Sequence, residues 1–268
     1  MAMWEVELLS QTVVTTPRNP VPWQLDRARE LAHLFGVPFM QRGDSSLYQL
    51  LERFTCVVAV ADPARIHMRG SDHPLFFHPS MAAQRLDRIH RRGEPDRLLR
   101  VADVRSGDVI VDGTLGLASD AVVFADAVGM TGQVIGIERS ALVARLMRAV
   151  QRFGCKEYSD AADLLRRIEV LECDHLAWLQ EQPDDSVDVL YFDPMFRQPA
   201  EDSPSIAPLR QAASPQPLRA GVIAEARRVA RRAVVVKERP QSGVFEQFGL
   251  TPDRPRSPFA YGVWRKYI

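Results

Sequence analysis

The chain has 268 residues, 46% of them hydrophobic and 25% charged, with Lys+Arg 34 against Asp+Glu 34. That apolar fraction suffices for a packed core and excludes a disordered chain; at roughly 100–200 residues per domain, the length allows one large domain with a small companion. A formal net charge of +0 excludes a uniformly basic protein held on nucleic acid by bulk charge, while leaving room for a local basic face.

The predicted elements of the first hundred residues describe a small α/β domain over 1–72, read as target-selecting. Thr12-Val-Val-Thr15 reads as a strand, and Trp23 to Phe35 as an amphipathic helix closed by Gly36. Cys56-Val-Val-Ala-Val60 reads as a strand, and Arg65-Ile-His-Met-Arg69 as a half-exposed one. His73, Phe76, Phe77 and His78 open a linking segment over 73–106, whose core is a basic helix from Met81 to Arg92. Arg85, Arg88, Arg91 and Arg92 with His90 predict a basic helical face for phosphates, the alternative being an ordinary solvated face.

From 107 to 268 the pattern repeats. Strands are predicted at 108–112, 133–138, 168–172, 187–192 and 233–237, and helices at 119–128, 141–153, 175–180 and 218–230. Continuous apolar strands alternating with helices predict a doubly wound, Rossmann-like parallel sheet. The stretch 197–217, rich in Pro, Ser and Ala, reads as a mobile loop.

Other features are read as absences. The three cysteines, Cys56, Cys155 and Cys173, form no Cys-x-x-Cys pair, so a disulfide framework or a zinc site is not expected, and a reducing cytoplasm is the expected compartment. No apolar run approaches the ~20 residues of a membrane span. His67 and His175 read as structural or packing groups rather than metal ligands.

The chemistry gathers at predicted strand ends. Asp112 opens the turn Asp112-Gly-Thr-Leu-Gly116-Leu-Ala-Ser119-Asp120, which lacks the G-x-G-x-x-G fingerprint, and its carboxylate would repel a pyrophosphate. Glu138, followed by Arg139, ends the second strand and is suited to ribose hydroxyls. Asp174, followed by His175, ends the third and is suited to an adenine amine. For both acids a helix-capping role is the alternative. Together the three acids ask for an ammonium, two hydroxyls and an amine, a set that S-adenosylmethionine presents without phosphate. The fourth strand ends Asp193-Pro194-Met195-Phe196: a carboxylate and a carbonyl to accept the two N–H bonds of a conjugated amine, a rigid proline, and a ring on which a base can stack. Lys237 ends the fifth strand, where it meets either a phosphate or base edge or the core.

These runs, with Val234-Val-Val-Lys237, occur in an order that closely resembles the bacterial small-subunit ribosomal RNA guanine-N2 methyltransferases and their relatives, from about Phe77 to the C-terminus. The resemblance implies a class I S-adenosylmethionine-dependent methyltransferase with cofactor contacts at Ser119, Asp120, Glu138, Arg139, Asp174, His175 and Asp193, to which the residues of the first turn add Asp112 and Gly116. The residue chemistry itself suggests catalytic roles for Asp193, Pro194 and Phe196, and substrate contacts for Phe196, Lys237, Arg85 and Arg88. RNA of the small ribosomal subunit is then the expected partner, with no membrane and no metal. The chain departs from the family at Arg197, where the enzymes have proline, and in its acidic, proline-rich 198–208 segment. Two alternatives stay open: a non-catalytic S-adenosylmethionine-binding or scaffold module, and a methyltransferase for a small molecule or a protein.

Overall fold

The structure, a computed structural model, describes residues 3–194, 209, 212, 218–254, 256 and 258–266. The chain forms two compact units. One comprises Met1–His78, Ser140–Asp163 and Glu201–Ser214, and the other Pro79–Arg139, Leu164–Ala200 and Pro215–Ile268. Of the predicted 197–217 loop, Leu209 and Ala212 are described and are helical; the rest lies outside the described residues.

The first unit is built on four strands: β1 (Thr12–Thr15), β2 (Phe39–Met40), β3 (Cys56–Ala59) and β4 (Arg65–Met68), in the order β2-β1-β3-β4. β1 runs parallel to β2 and β3, and β4 is antiparallel to β3. The apolar runs of β1 and β3 are buried, as are Ala28, Leu31, Ala32 and Phe35 of helix Pro22–Phe35, whose Gly36 cap sits at φ 61. β4 alternates exposed and buried, the period-2 signature of a strand with one wet face. Helix Ala141–Phe153 packs here, with the Arg27 guanidinium 4.4 Å from the Phe153 ring and Arg152 paired to Glu30 at 3.1 Å. Two further helices, Met3–Ser10 and Leu47–Arg53, were not expected from the sequence.

The second unit holds seven strands: β5 (Val109–Asp112), β6 (Gln133–Glu138), β7 (Ile168–Glu172), β8 (Val187–Phe192), β9 (Ala230–Glu238), β10 (Thr251–Pro252) and β11 (Ala260–Arg265). Their order is β10-β11-β9-β8-β5-β6-β7. β5 to β9 are mutually parallel, and β11 lies antiparallel against β9 with β10 antiparallel beyond it. The five central strands agree with the expected doubly wound sheet, and the antiparallel pair adds to it. Val111, Leu190, Phe192, Val234 and Val236 pack with Ile223 and Phe245 in one core. From β5 the chain winds outward to β6 and β7, while β8 and β9 lie on the other side. The strand order therefore reverses between β5 and β8, and a crevice opens at their carboxyl ends, where open α/β sheets bind ligands. Among the described residues no helix is long and apolar enough to cross a membrane, and no cluster of His, Cys, Asp and Glu could hold a metal ion.

Candidate cofactor and target site

The turn after β5 is fixed from the two flanking strands, β8 and β6. Gly113 N–H donates to the Tyr191 carbonyl at 2.8 Å, Leu115 N–H to the Ile137 carbonyl at 3.0 Å, and Gly116 N–H to the Glu138 carboxylate at 2.9 Å. Gly113 is obligatory, since a Cβ there would collide with the Phe192 ring. Ala118 takes φ 60, a left-handed conformation that costs a non-glycine residue about 1–2 kcal/mol. The neighbouring bond from its N–H to the Leu115 carbonyl, 2.8 Å, holds it there.

Asp112 does not present its carboxyl to the crevice as expected. The side chain is buried and accepts from the N–H and hydroxyl of Thr114 at 3.0 and 3.4 Å. Burial, reinforced by the charges of Asp120 and Asp193, pushes its pKa well above the ordinary carboxylate value against the Thr114 N–H bond. Thr114, given no role by the sequence reading, connects two strand ends: its hydroxyl also accepts from the Asp193 N–H at 2.6 Å.

Beneath this turn lies a charged cluster. Asp120, on the first turn of helix Ser119–Ala127, accepts from the Tyr191 hydroxyl at 2.7 Å, pairs with Arg85 and stands 3.6 Å from the Lys237 ammonium. Lys237 in turn holds the Asp193 carboxylate at 2.7 Å and lies 5.4 Å from the Phe259 ring. Burial raises the Asp120 pKa, but Lys237 and Arg85 outweigh it and leave the group below its ordinary value. Burial pushes Asp193 up to about 6, with Asp120 adding to the shift and Lys237 opposing it. For Lys237 burial favours the neutral amine, and the two carboxylates overcome that and raise its pKa. Asp193 is the outward end of this cluster, with 30% of its side chain exposed against 11% for Asp120.

Arg85 is a correction to the sequence reading. Instead of standing on a basic face, it is 12% exposed and forks onto Asp96 through two 2.8 Å bonds as well as pairing with Asp120. A guanidinium committed to two carboxylates has no free charge for a phosphate. Arg88 is exposed, and its Nε donates to the Gln84 carbonyl at 3.4 Å. Of the rest of that face, Arg91 pairs with Asp87 and His90 with Asp126.

The other predicted residues lie at strand ends and helix starts. Glu138 ends β6, Arg139 follows it, and Ser119 begins the helix after the turn. Asp174 caps helix His175–Glu181 through bonds of 2.9 and 3.2 Å and lies 4.0 Å from Arg139, with 42% of its side chain exposed. His175 bonds the Gly113 carbonyl through Nδ1 at 3.1 Å and packs edge-on against Phe192; burial lowers its pKa, favouring the neutral ring. Pro194 is buried, and Phe196 lies outside the described residues.

This donor and acceptor set fits S-adenosylmethionine. The strand ends offer carboxylates after β6, β7 and β8, the glycine turn is tied to Glu138, and the nearby Arg85 and Lys237 are already paired with Asp96, Asp120 and Asp193. Acceptors of this kind suit hydroxyls, amines and a sulfonium, and repel a pyrophosphate. The open sheet, its switch-point crevice and this acidic lining define a class I methyltransferase. The family profile described as "Putative SAM-dependent methyltransferase" matches residues 71–248, and the chain belongs to that S-adenosylmethionine-dependent family. An uncharacterized protein of Bacillus subtilis, YpiP, is 38% identical over 94% of this chain and 98% of its own. Ribosomal RNA small subunit methyltransferase J of Hydrogenovibrio crunogenus is 30% identical over 66% of this chain and 67% of its own. In fold, the chain is similar to an S-adenosylmethionine-dependent methyltransferase from Neisseria gonorrhoeae, with a TM-score of 0.57 and 18% identity over 96% of both chains.

Proposed function

We propose that this methyltransferase acts on the exocyclic amine of a nucleobase in RNA, with guanine N2 of small-subunit ribosomal RNA as its target. The observation that carries the reading is the partly open Asp193 carboxylate at the end of β8, held by Lys237 on a backbone whose N–H is anchored by the Thr114 hydroxyl. The sequence relatives named ribosomal RNA small subunit methyltransferase J support the choice of RNA.

In this reading the 113–116 turn, Ser119, Glu138, Arg139, Asp174 and His175 hold the cofactor, while Asp112 and Asp120 act from beneath as positioning residues. The cofactor supplies a methyl group on a sulfonium, whose leaving group is a neutral thioether. An amine conjugated to a base is a poor nucleophile. Asp193 and the Pro194 carbonyl accept its two N–H bonds and aim the lone pair, so that alignment lowers the barrier. As the N–C bond forms and the C–S bond breaks, the nitrogen becomes cationic; Asp193 accepts the proton it sheds and passes it to water. Phe196 is assigned to stacking on the base, a contact worth about 1–3 kcal/mol.

The test is incubation with methyl-labelled cofactor and, separately, undermodified small ribosomal subunits, free RNA, DNA and protein. Label is expected in the RNA of the subunits. Label confined to protein or to small molecules would reject the substrate class while leaving the fold unaffected.

A further inference from the structure

The first unit carries a second strand-end edge, of opposite character. Its three parallel strands end together, and a single row crosses the sheet: Met40 pairs with Thr15, Thr15 with Ala59, and Ala59 with Arg65. Residues paired across strands share a face, and His67, two positions from Arg65, shares it too. Just beyond β1 the chain turns to Arg18. Just beyond β2, the Arg42 N–H bonds the Thr16 hydroxyl at 3.3 Å, bringing the 41–45 loop over the end of β1. The Arg42 Nε donates to the Ser45 carbonyl at 2.9 Å, which fixes the guanidinium in that loop.

Three arginines and a histidine thus gather at the carboxyl edge of a small parallel sheet. Among the described residues, no carboxylate forms an ion pair with Arg18, Arg42 or Arg65. Their mutual proximity is visible in their protonation: burial and then Arg18 lower the Arg42 pKa, while burial, Arg65 and Arg42 lower that of His67. Uncompensated like charge is unfavourable in the free protein and favourable once an anion neutralises it. Beside the cluster, the Arg65 guanidinium lies 5.1 Å from the Phe76 ring, and Phe76 lies 5.0 Å from the His78 ring. Guanidinium planes and half-buried rings side by side are surfaces on which unpaired bases stack.

We propose that Arg18, Arg42 and Arg65, with the Phe76–His78 pair, form a binding site for single-stranded RNA, the arginines neutralising consecutive phosphates and the rings receiving a base. This rests on the RNA reading of the methyl-transfer site and gives the first unit its role in selecting the target.

The test is fluorescence anisotropy of the full chain with a labelled single-stranded RNA across a salt series, beside methyl transfer to the same RNA. The variants are Arg18→Ala/Arg65→Ala, which touches two exposed side chains, the triple variant with Arg42→Ala, and the corresponding lysine variants. Each single-strand phosphate contact contributes about 0.7 to the slope of log affinity against log salt, so the triple variant should lower that slope by about 2. It should weaken RNA binding at least about tenfold and raise the RNA KM with kcat and cofactor affinity unchanged, and lysine should largely restore binding. Wild-type RNA affinity and slope in the triple and double variants would overturn the site even if RNA is methylated. Arginine-dependent RNA binding without methylation of any RNA would keep the site and reject the reading of the methyl-transfer centre. Tight binding of free nucleoside phosphates without RNA binding would also overturn it.

Discussion

The two sheets share one grammar and opposite electrostatics. Each brings parallel strands to a common edge and hangs its chemistry on the loops beyond. At the large sheet that edge carries Glu138, Asp174 and Asp193, with Asp112 and Asp120 engaged by Thr114 and Arg85; at the small sheet it carries Arg18, Arg42, Arg65 and His67. The backbone arrangement alone therefore does not decide what binds. In the proposed reading the large edge, rich in acceptors, takes hydroxyls, amines and a sulfonium, and the small edge, rich in donors, takes phosphate.

The largest expected effect comes from breaking the acceptor edge at its outward end. Asp193→Ala should lower kcat by about 10²–10⁴-fold, the range of a positioned proton acceptor, with a much smaller change in cofactor affinity by calorimetry. Second is the support beneath that edge. Arg85→Met leaves the half-buried Asp96 without its cation and Asp120 with Lys237 alone, and should destabilise the fold by about 3–5 kcal/mol in urea unfolding. By contrast Arg88→Ala, on the exposed side of the same helix, should stay within about 0.5 kcal/mol. Third, Glu138→Ala removes the acceptor of the Gly116 N–H and should weaken cofactor binding by about 1–3 kcal/mol, read by titration calorimetry. The smallest effect is a displacement along the pH axis. Because Asp193 must be ionised to accept, kcat/KM should fall as pH drops through about 6. Lys237 opposes that upward shift, so Lys237→Met should move the acid limb to higher pH.

The parallel core was legible because β5, β6, β8 and β9 are continuous apolar runs bounded by turns, which a sheet covered on both faces demands. β11 was not, since Ala260-Tyr-Gly-Val-Trp-Arg265 is neither a continuous β-branched run nor a clean alternation, lies between two antiparallel neighbours, and follows a segment rich in Pro and Arg. Helix Leu47–Arg53 is short, and its visible signal was the capping box of Ser46 and Gln49. At the site, strand-end acids can be read from the turn positions, but the direction of a carboxyl cannot. Asp112 is taken up by the N–H of Thr114 two residues on, a bond within its own turn that residue type and position do not reveal. Arg85 looked like part of a solvent face because its helix has arginines at several positions; its partners, Asp96 and Asp120, lie 11 and 35 residues away, beyond the reach of periodicity.

The most direct test is nucleoside analysis by mass spectrometry of undermodified small-subunit ribosomal RNA treated with cofactor and either the wild-type chain or Asp193→Ala. N2-methylguanosine should accumulate with the wild type and be absent with the variant, while both proteins bind the cofactor. Equal yields from the two proteins, or a wild-type product methylated on an oxygen or on protein, would contradict the assignment of Asp193 as the group that orients a nucleobase amine.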